Sequence, residues 1–221
     1  NEIRRVDLPM LKADAQFPVQ GGLRSMASVP GNHDMLVVSR GATGMTGSGI
    51  AVMEKGVLKP DVGAPNGFAV TFPNRVHTYQ NEISSWDFMT YAIGANGLQL
   101  RGATVSLLSG YIGIFGDGNG RVFTTNGQVI DPEQRRILGS LARPADVPPM
   151  VDPSVGRIFF LNGNHIHTAD YSTFVNLDTL VVPDAGNEVR NLIRWGEDGL
   201  AFLNEKQIVV IRAKGLWKPI T

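Results

Sequence analysis

The chain has 221 residues, no cysteine and no net charge, because 20 basic side chains balance 20 acidic ones. Without cysteine there is no disulfide, no thiolate metal site and no cysteine nucleophile. A neutral chain without a basic stripe is atypical of proteins that bind nucleic-acid phosphates. No apolar run approaches the roughly 20 residues of a membrane-spanning helix. We therefore expect a folded protein with no nucleic-acid partner and no membrane span.

Short apolar runs recur along the chain about every forty residues, each after a turn rich in Gly, Asn, Asp or Pro. One series of runs predicts strands at 35–39, 75–79, 121–124, 157–161 and 200–203. A second series predicts the third strand of each repeat, at 3–7, 50–54, 89–93, 128–131, 166–170 and 207–212. The first of these precedes all the second strands, and each of the others follows one. A third, less regular series lies at 15–19, 58–61, 98–101, 138–141 and 180–182. Two independent series with one period indicate an internal repeat.

The last repeat shows the unit most clearly. Three β-like runs at 190–194, 200–203 and 207–212 are separated only by the short turns 196–199 and 204–206. Asp-Gly between apolar runs is a strong hairpin signal, because glycine reaches positive φ without a steric penalty. The unit is therefore an antiparallel meander. Four strands in about 40–45 residues are typical of one blade of a β-propeller.

The predicted fold is an all-β β-propeller of four-stranded antiparallel blades, with residues 1–221 as a single domain of about five blades' worth of chain. The best helical candidate, 131–142, is short and lies between two predicted strands, so we expect a turn or one helical turn there. Alternation along the second strands predicts which side chains pack between blades. These are Leu36, Val38, Val122, Ile158, Phe160 and Phe202.

Several segments carry a family resemblance: IRRVDLPML, VPGN with LVVSRG, GQVIDPE, GRIFFLNG and IRWGEDGLAF. They resemble segments of bacterial exported β-propellers of the YVTN/lactonase-like, cytochrome-d1-type group, including large surface proteins with Ig-like or propeller repeats. The resemblance covers essentially the whole chain. It implies a seven-bladed ring, an extracellular, cell-surface or periplasmic location, and one or two blades upstream of this chain. We therefore expect that the chain does not close a ring alone: it is either an open arc of blades or part of a ring that another chain completes.

The four histidines fall into three settings. His165 and His167 are two residues apart on a predicted strand, so they face the same side. Such a pair could bind zinc or copper, but a metal site needs at least a third ligand. Ordinary surface or loop histidines are the more common case. The pair is therefore only a weak candidate for a metal site, and we predict no metal site. His77 lies in mid-strand and is expected to be a hydrogen-bonded histidine of the sheet, while no role is predicted for His33.

Acidic residues recur at one place in the repeat, at Asp7, Asp131 and Asp170. An Asp at the end of a strand most simply accepts hydrogen bonds from the backbone of its own turn. Catalytic carboxylates are the alternative. Residues 117–120, Asp-Gly-Asn-Gly, start like a calcium loop, but positions 5 and 12 of that loop are arginine and glutamine here. We therefore predict a hairpin turn at 117–120.

One face of a propeller is built from the connections after the second and the fourth strands. Trp86 lies in such a polar connection and is predicted to make a surface contact, whereas Trp195 follows an alternating strand and is predicted to pack in the core or between blades. An aromatic residue among convergent polar groups is typical of a ligand site. The ligand or partner face predicted here comprises Arg40, Glu82, Trp86, Asp87, Asn164 and His165, with Met45 beside them.

The chain contains no Gly-x-Ser-x-Gly elbow, phosphate loop or dinucleotide fingerprint, and no catalytic motif of the resembled family maps onto it. We predict no catalytic residue and no cofactor. The predicted function is a non-catalytic binding or scaffolding β-propeller of an exported bacterial protein, with a protein or glycan ligand. Two alternatives remain: a lactonase-like hydrolase with a site in the central channel, and a structural subunit of an extracellular assembly.

Overall fold

A computed structural model describes residues 2–7, 9–19, 21–41, 47–63, 67–72, 74–80, 84–142, 148–183, 185–186 and 189–212. Within these ranges every regular element is a β-strand except one 3-10 turn, Pro153–Val155. The strands are β1 Glu2–Asp7, β2 Lys12–Pro18, β3 Gly22–Val29, β4 Asn32–Gly41, β5 Gly47–Glu54, β6 Val57–Leu58, β7 Gly67–Thr71, β8 Arg75–Tyr79, β9 Phe88–Gly94, β10 Gly97–Thr104, β11 Ile114–Gly116, β12 Val122–Thr124, β13 Gln128–Asp131, β14 Arg136–Ser140, β15 Met150–Asp152, β16 Arg157–Asn162, β17 His165–Asp170, β18 Asn176–Val181, β19 Arg190–Trp195, β20 Gly199–Leu203 and β21 Ile208–Arg212.

The strands form sheets in which neighbours along the chain are neighbours in the sheet. Four sheets have four strands each: β3–β6, β7–β10, β11–β14 and β15–β18. The first sheet has two strands, β1 and β2, and the last has three, β19–β21. Each four-stranded meander is one propeller blade, so the predicted fold class, an all-β β-propeller, is confirmed.

All five predicted second strands are confirmed, as β4, β8, β12, β16 and β20. The predicted fourth strands are less accurate: β6 has only two residues, and β18 begins at Asn176, four residues before the predicted start. A fourth strand pairs on one side only and is partly exposed, so its apolar alternation is weak. Residues 131–142 form a turn followed by β14, as expected of a segment without helical periodicity.

The chain divides into two compact units, residues 1–120 and 121–221, which are described separately. In unit 1 one core cluster includes Val37, Val52, Val70 and Val76. β1 pairs with β2 there, and β21 pairs with β20 in unit 2. That the chain does not close a ring alone stays a prediction.

The second strand β16 shows why the cores form. Ile158 and Phe160 pack in one cluster of unit 2, and Phe159 and Leu161 pack in another. Both faces of the strand are therefore covered, which explains its unbroken apolar sequence. The predicted packing positions are buried at Val38, Val122, Ile158, Phe160 and Phe202, and Leu36 is half-buried beside Val38.

The prediction that Trp195 packs in the core is wrong, because its side chain is 50% exposed. Trp195 ends β19, the first strand of the three-stranded sheet, and Leu192 is the one buried residue of that strand. Pairing of β19 with β20 is irregular between Arg190 and Ile193, where Asn191 adopts φ 55°. An irregularity of this kind shifts the alternation of the residues that follow it.

Candidate functional site

The described residues of the predicted ligand face belong to both units: Arg40, Trp86 and Asp87 lie in unit 1, and Asn164 and His165 lie in unit 2. Glu82 and Met45 lie outside the described residues. Arg40, near the end of β4, forms an ion pair with Asp61, and both side chains are largely buried. This ion pair means that the Arg40 side chain contacts a residue of its own blade.

Trp86 is the centre of an aromatic cluster in unit 1, which we define as Tyr79, Trp86 and Tyr111. The Trp86 ring stacks on Tyr79, with 6.4 Å between ring centroids and 19° between planes. Tyr111 meets Trp86 edge-on at 5.9 Å and 86°. Tyr79 is buried, Trp86 is half-buried and Tyr111 is 82% exposed, so the cluster leads from the core to solvent.

Two connections hold this cluster in place, one between β8 and β9 and the other between β10 and β11. The Tyr79 hydroxyl donates a hydrogen bond of 3.0 Å to the carbonyl oxygen of Gly110. The backbone N–H of Ser106 donates to the carbonyl oxygen of Ser85 at 3.1 Å. Burial raises the pKa of Tyr79, which keeps its hydroxyl protonated as a donor. These are the connections that were predicted to build the ligand face.

Trp86 adopts φ 50°, in the left-handed region that bulky residues avoid. Asp87 follows it, and its backbone oxygen accepts a hydrogen bond of 3.0 Å from the N–H of Gln80, which closes the connection. Tyr111 was not among the residues predicted for the ligand face. The available signal was a tyrosine in a Ser/Gly-rich connection after a predicted fourth strand, which is where the candidate face was expected.

His165 and His167 face the same side of β17 in unit 2, as predicted. Their rings stack at 5.9 Å and 17°, and His167 also stacks on Phe160 at 5.2 Å. His167 Nδ1 lies 2.9 Å from the Thr179 hydroxyl. The two histidines border a pocket of about 320 Å³. Asn164 lies in the exposed turn before β17 and does not line this pocket.

The stacked arrangement of the two histidine rings does not favour a metal ion shared between them. The lone pair of an imidazole nitrogen lies in the ring plane, so two nearly parallel stacked rings do not direct their nitrogens at one point. Among the described residues no group of three or more His, Cys, Asp or Glu side chains could hold a metal ion.

His77 is the hydrogen-bonded sheet histidine that was predicted. Its Nε2 lies 2.8 Å from the Thr71 hydroxyl and its Nδ1 lies 3.1 Å from the Thr90 hydroxyl. The ring is fully buried and stacks on Phe88 at 5.9 Å. Burial, with a smaller contribution from the nearby Arg75 charge, lowers the pKa of His77 to about 3. The residue is a neutral part of the core.

The recurring aspartates cap their own turns. Asp7 accepts from the N–H of Met10 at 3.0 Å, and Asp131 accepts from the N–H groups of residues 133 and 134. Asp170 accepts from the N–H groups of Ser172 and Thr173 at 2.8 and 2.7 Å. The Ser172 hydroxyl and the Thr173 backbone are the main causes that lower the pKa of Asp170 to about 2.

The turn at 117–120 is built in the same way. The Asp117 carboxylate accepts from the backbone N–H groups of Asn119 and Gly120, at 2.7 and 2.9 Å. This is the hairpin-type turn that was predicted in place of a calcium loop. Like the strand-end aspartates, it engages its carboxylate with backbone donors.

A scan against protein-family models finds no match, and no curated protein is similar in sequence. Solved structures do show likeness. A functionally unknown protein from Desulfotomaculum acetoxidans superposes with a TM-score of 0.66 and 13% identity, over 96% of this chain and 72% of that chain. The computationally designed Ika8 protein gives 0.61 and 12%, over 98% and 67%.

Apo AztD from Citrobacter koseri gives a TM-score of 0.54 and 12% identity over 86% of this chain. The chain spans about 57% of the length of AztD. At these identities the likeness shows the fold alone. No helix among the described residues is long and apolar enough to cross a membrane. The comparisons thus support a β-propeller fold for this chain.

Proposed function

We propose that this chain is a non-catalytic binding domain whose ligand contacts the aromatic cluster. The observation that carries this proposal is Trp86, held at φ 50° between buried Tyr79 and the 82% exposed Tyr111. The left-handed conformation costs roughly 1–2 kcal/mol for a side chain with a Cβ. Strain of this kind persists where surrounding contacts impose it, and it concentrates at ligand sites. The aromatic surface is therefore in place before a ligand arrives, which lowers the cost of binding.

The ligand class that fits the cluster best is a neutral glycan. An aromatic face is electron-rich and attracts the weakly positive C–H groups of a sugar ring. Exposed hydroxyls of Ser84 and Ser109 lie in the same two connections, and the chain carries no net charge that would favour a charged ligand. A protein ligand is the other candidate, since Trp and Tyr are also enriched where protein partners bind most strongly.

We also propose an extracellular, cell-surface or periplasmic location and membership of the YVTN/lactonase-like propeller group. The segments quoted above support both, and the absence of cysteine is compatible with an oxidising compartment because there is no thiol to oxidise. Fractionation of the native host, followed by detection of this chain, tests the location. Recovery only in the cytoplasmic fraction would contradict it.

Affinity electrophoresis of the purified chain in gels that contain dextran, starch or xylan, together with a glycan array, tests the ligand. We expect at least one neutral polysaccharide to retard the chain. Tyr111→Ala should abolish the retardation. Trp195→Ala is the matched control, because Trp195 is an exposed aromatic residue on β19, outside the aromatic cluster. It should not be needed for glycan binding. The polysaccharide should keep its chain length after incubation.

The proposal of a glycan ligand fails if no neutral glycan binds, or if the Tyr111 and Trp195 variants lose glycan binding equally. Shortening of the polysaccharide would contradict the non-catalytic part alone. A photo-crosslinker at position 111 that links the chain to one defined protein, with no glycan binding, would favour the protein ligand instead.

A further inference from the structure

The pocket beside the histidine pair is a second candidate site, separate from the aromatic cluster. It lies within unit 2 and measures about 320 Å³, at the lower end of the range for small-molecule sites. Its described lining residues are Ala142 and five polar residues, which are Asn162, His165, His167, Asn176 and Thr179.

Three stacked rings connect this pocket to the core. Phe160 is fully buried, His167 is 7% exposed and His165 is half-buried. His167 is held by the Phe160 ring at 5.2 Å and by the Thr179 hydroxyl at 2.9 Å. The imidazoles are therefore positioned by the core, and they are not loose surface side chains.

The pocket is polar and carries no fixed charge among its described lining residues. Two carboxamides, one hydroxyl and two imidazoles line it, and no carboxylate is among them. The charged residues of the surrounding strands are Arg136 on β14, Asp152 on β15, Arg157 on β16, Asp170 on β17 and Asp178 on β18, and none of them lines the pocket. The two histidines are the only ionisable residues among the described lining residues.

The stacked imidazoles make the charge of the pocket dependent on pH. A histidine ordinarily gains a proton near pH 6.5. Two imidazolium rings with centroids 5.9 Å apart repel each other. An anion between or beside them offsets that repulsion and forms charge-assisted hydrogen bonds. Protonation and anion binding therefore favour one another.

We propose that this pocket binds a small oxyanion, a carboxylate or a phosphate, together with a proton. A neutral sugar is less well matched, because it cannot form a charge-assisted hydrogen bond with an imidazolium. A divalent metal is less well matched, because the two rings are stacked. The site does not depend on the aromatic cluster, so either proposal can fail alone.

Isothermal titration of the purified chain with succinate and with inorganic phosphate, at pH 7.5 and pH 5.5, tests the proposal. Because protonation of the imidazoles and anion binding favour one another, we expect tighter binding at pH 5.5 than at pH 7.5. Succinate bound more tightly than phosphate would identify a carboxylate ligand, and the reverse order a phosphate. His165→Gln should remove most of the binding while leaving the fold intact, because His165 is half-buried.

Asn176→Asp sharpens the test, because this exposed position should accept the change and the new carboxylate repels an anion. It should abolish succinate and phosphate binding. His33→Gln, at an exposed position on β4 of unit 1, is the matched control and should bind like the parent chain. Thermal melting of each variant checks folding.

A second measurement does not depend on substitution. In proton NMR at pH 5.5, saturating succinate should shift the imidazole resonances of one or both pocket histidines, and should leave those of His33 and His77 unchanged. Anion binding that is independent of pH, or no saturable anion binding at pH 5.5, would overturn the proposal. Binding of glucose or of Zn²⁺ in this pocket of the parent chain more tightly than either anion would overturn it as well.

Discussion

His77 and His167 occupy similar local settings in the two units and do different things. Each lies inside a strand, stacks on a phenylalanine and contacts a threonine hydroxyl. His77 is on the second strand of its blade, where threonines on both neighbouring strands meet its two ring nitrogens. His167 is on a third strand, close to a connection, and the next ring in its stack, His165, borders a pocket.

The difference shows that the strand position decides the role. A histidine whose two nitrogens are engaged inside the core is a neutral packing element, and burial lowers its pKa to about 3. A histidine at the end of the same kind of ring stack borders a polar pocket. Residue type and strand pattern alone do not separate these cases.

The largest expected effect comes from removing the ring that supports His167. Phe160→Ala should lower the free energy of unfolding by about 3–5 kcal/mol, because Phe160 is fully buried in a packed cluster. Phe72→Ala is the matched control, since Phe72 is exposed, and should cost less than about 1 kcal/mol. Chemical denaturation measures both. A loss below about 1 kcal/mol for Phe160→Ala would show that the Phe160 ring, which supports His167, is not packed in the core.

The pH dependence of stability tests the His77 half of the comparison. The folded chain keeps His77 neutral, while the unfolded chain takes up a proton below about pH 6.5. This contribution is therefore complete above about pH 6.5 and is lost as the pH falls towards 3. Between pH 6.5 and 4.5 the free energy of unfolding should fall by about 2–3 kcal/mol on account of this residue.

Denaturation curves of the parent chain and of His77→Gln across this pH interval isolate the contribution, because the other groups titrate in both. His77→Gln should flatten the pH dependence, and His33→Gln should leave it unchanged. Equal slopes in the parent and His77→Gln would mean that His77 is protonated in the folded chain.

Substitution of Asp170, which lies on the same strand as His167, should have a smaller effect on the free energy of unfolding. Asp170→Ala should cost about 1 kcal/mol, because two backbone N–H groups and two hydroxyls lose an exposed acceptor. With its pKa lowered to about 2, the contribution of Asp170 is present above about pH 4 and is lost as the pH falls to 2. Thermal unfolding at pH 7 and pH 2.5 checks this; a cost at pH 2.5 that exceeds the cost at pH 7 would contradict it.

Tyr111 provides the smallest stability effect and the sharpest contrast with Phe160. Tyr111→Ala should change the free energy of unfolding by no more than about 0.5 kcal/mol, because its side chain is 82% exposed. A much larger loss, measured by chemical denaturation, would mean that Tyr111 braces the connection, and would remove the reason to regard it as a ligand contact.

Most of the blade architecture could be predicted from sequence because it rests on local signals. Second strands such as β16 are covered on both faces, so they appear as continuous apolar runs. Aspartates at strand ends cap turns within three residues of themselves. Trp195 could not be placed correctly, because the irregularity near Asn191 changes the alternation without any clear sequence signal.

The sequence by itself determined the period, the order of strands in each blade and the turn caps, because alternation and turn hydrogen bonds act between residues close in the chain. Only the tertiary structure decided that Tyr111 joins Trp86, and that His167 rather than His77 borders a pocket. These contacts link separate connections or separate strands; the Tyr79 hydroxyl, for example, reaches a carbonyl 31 residues away. Their formation depends on how whole strands pack, which no local pattern encodes.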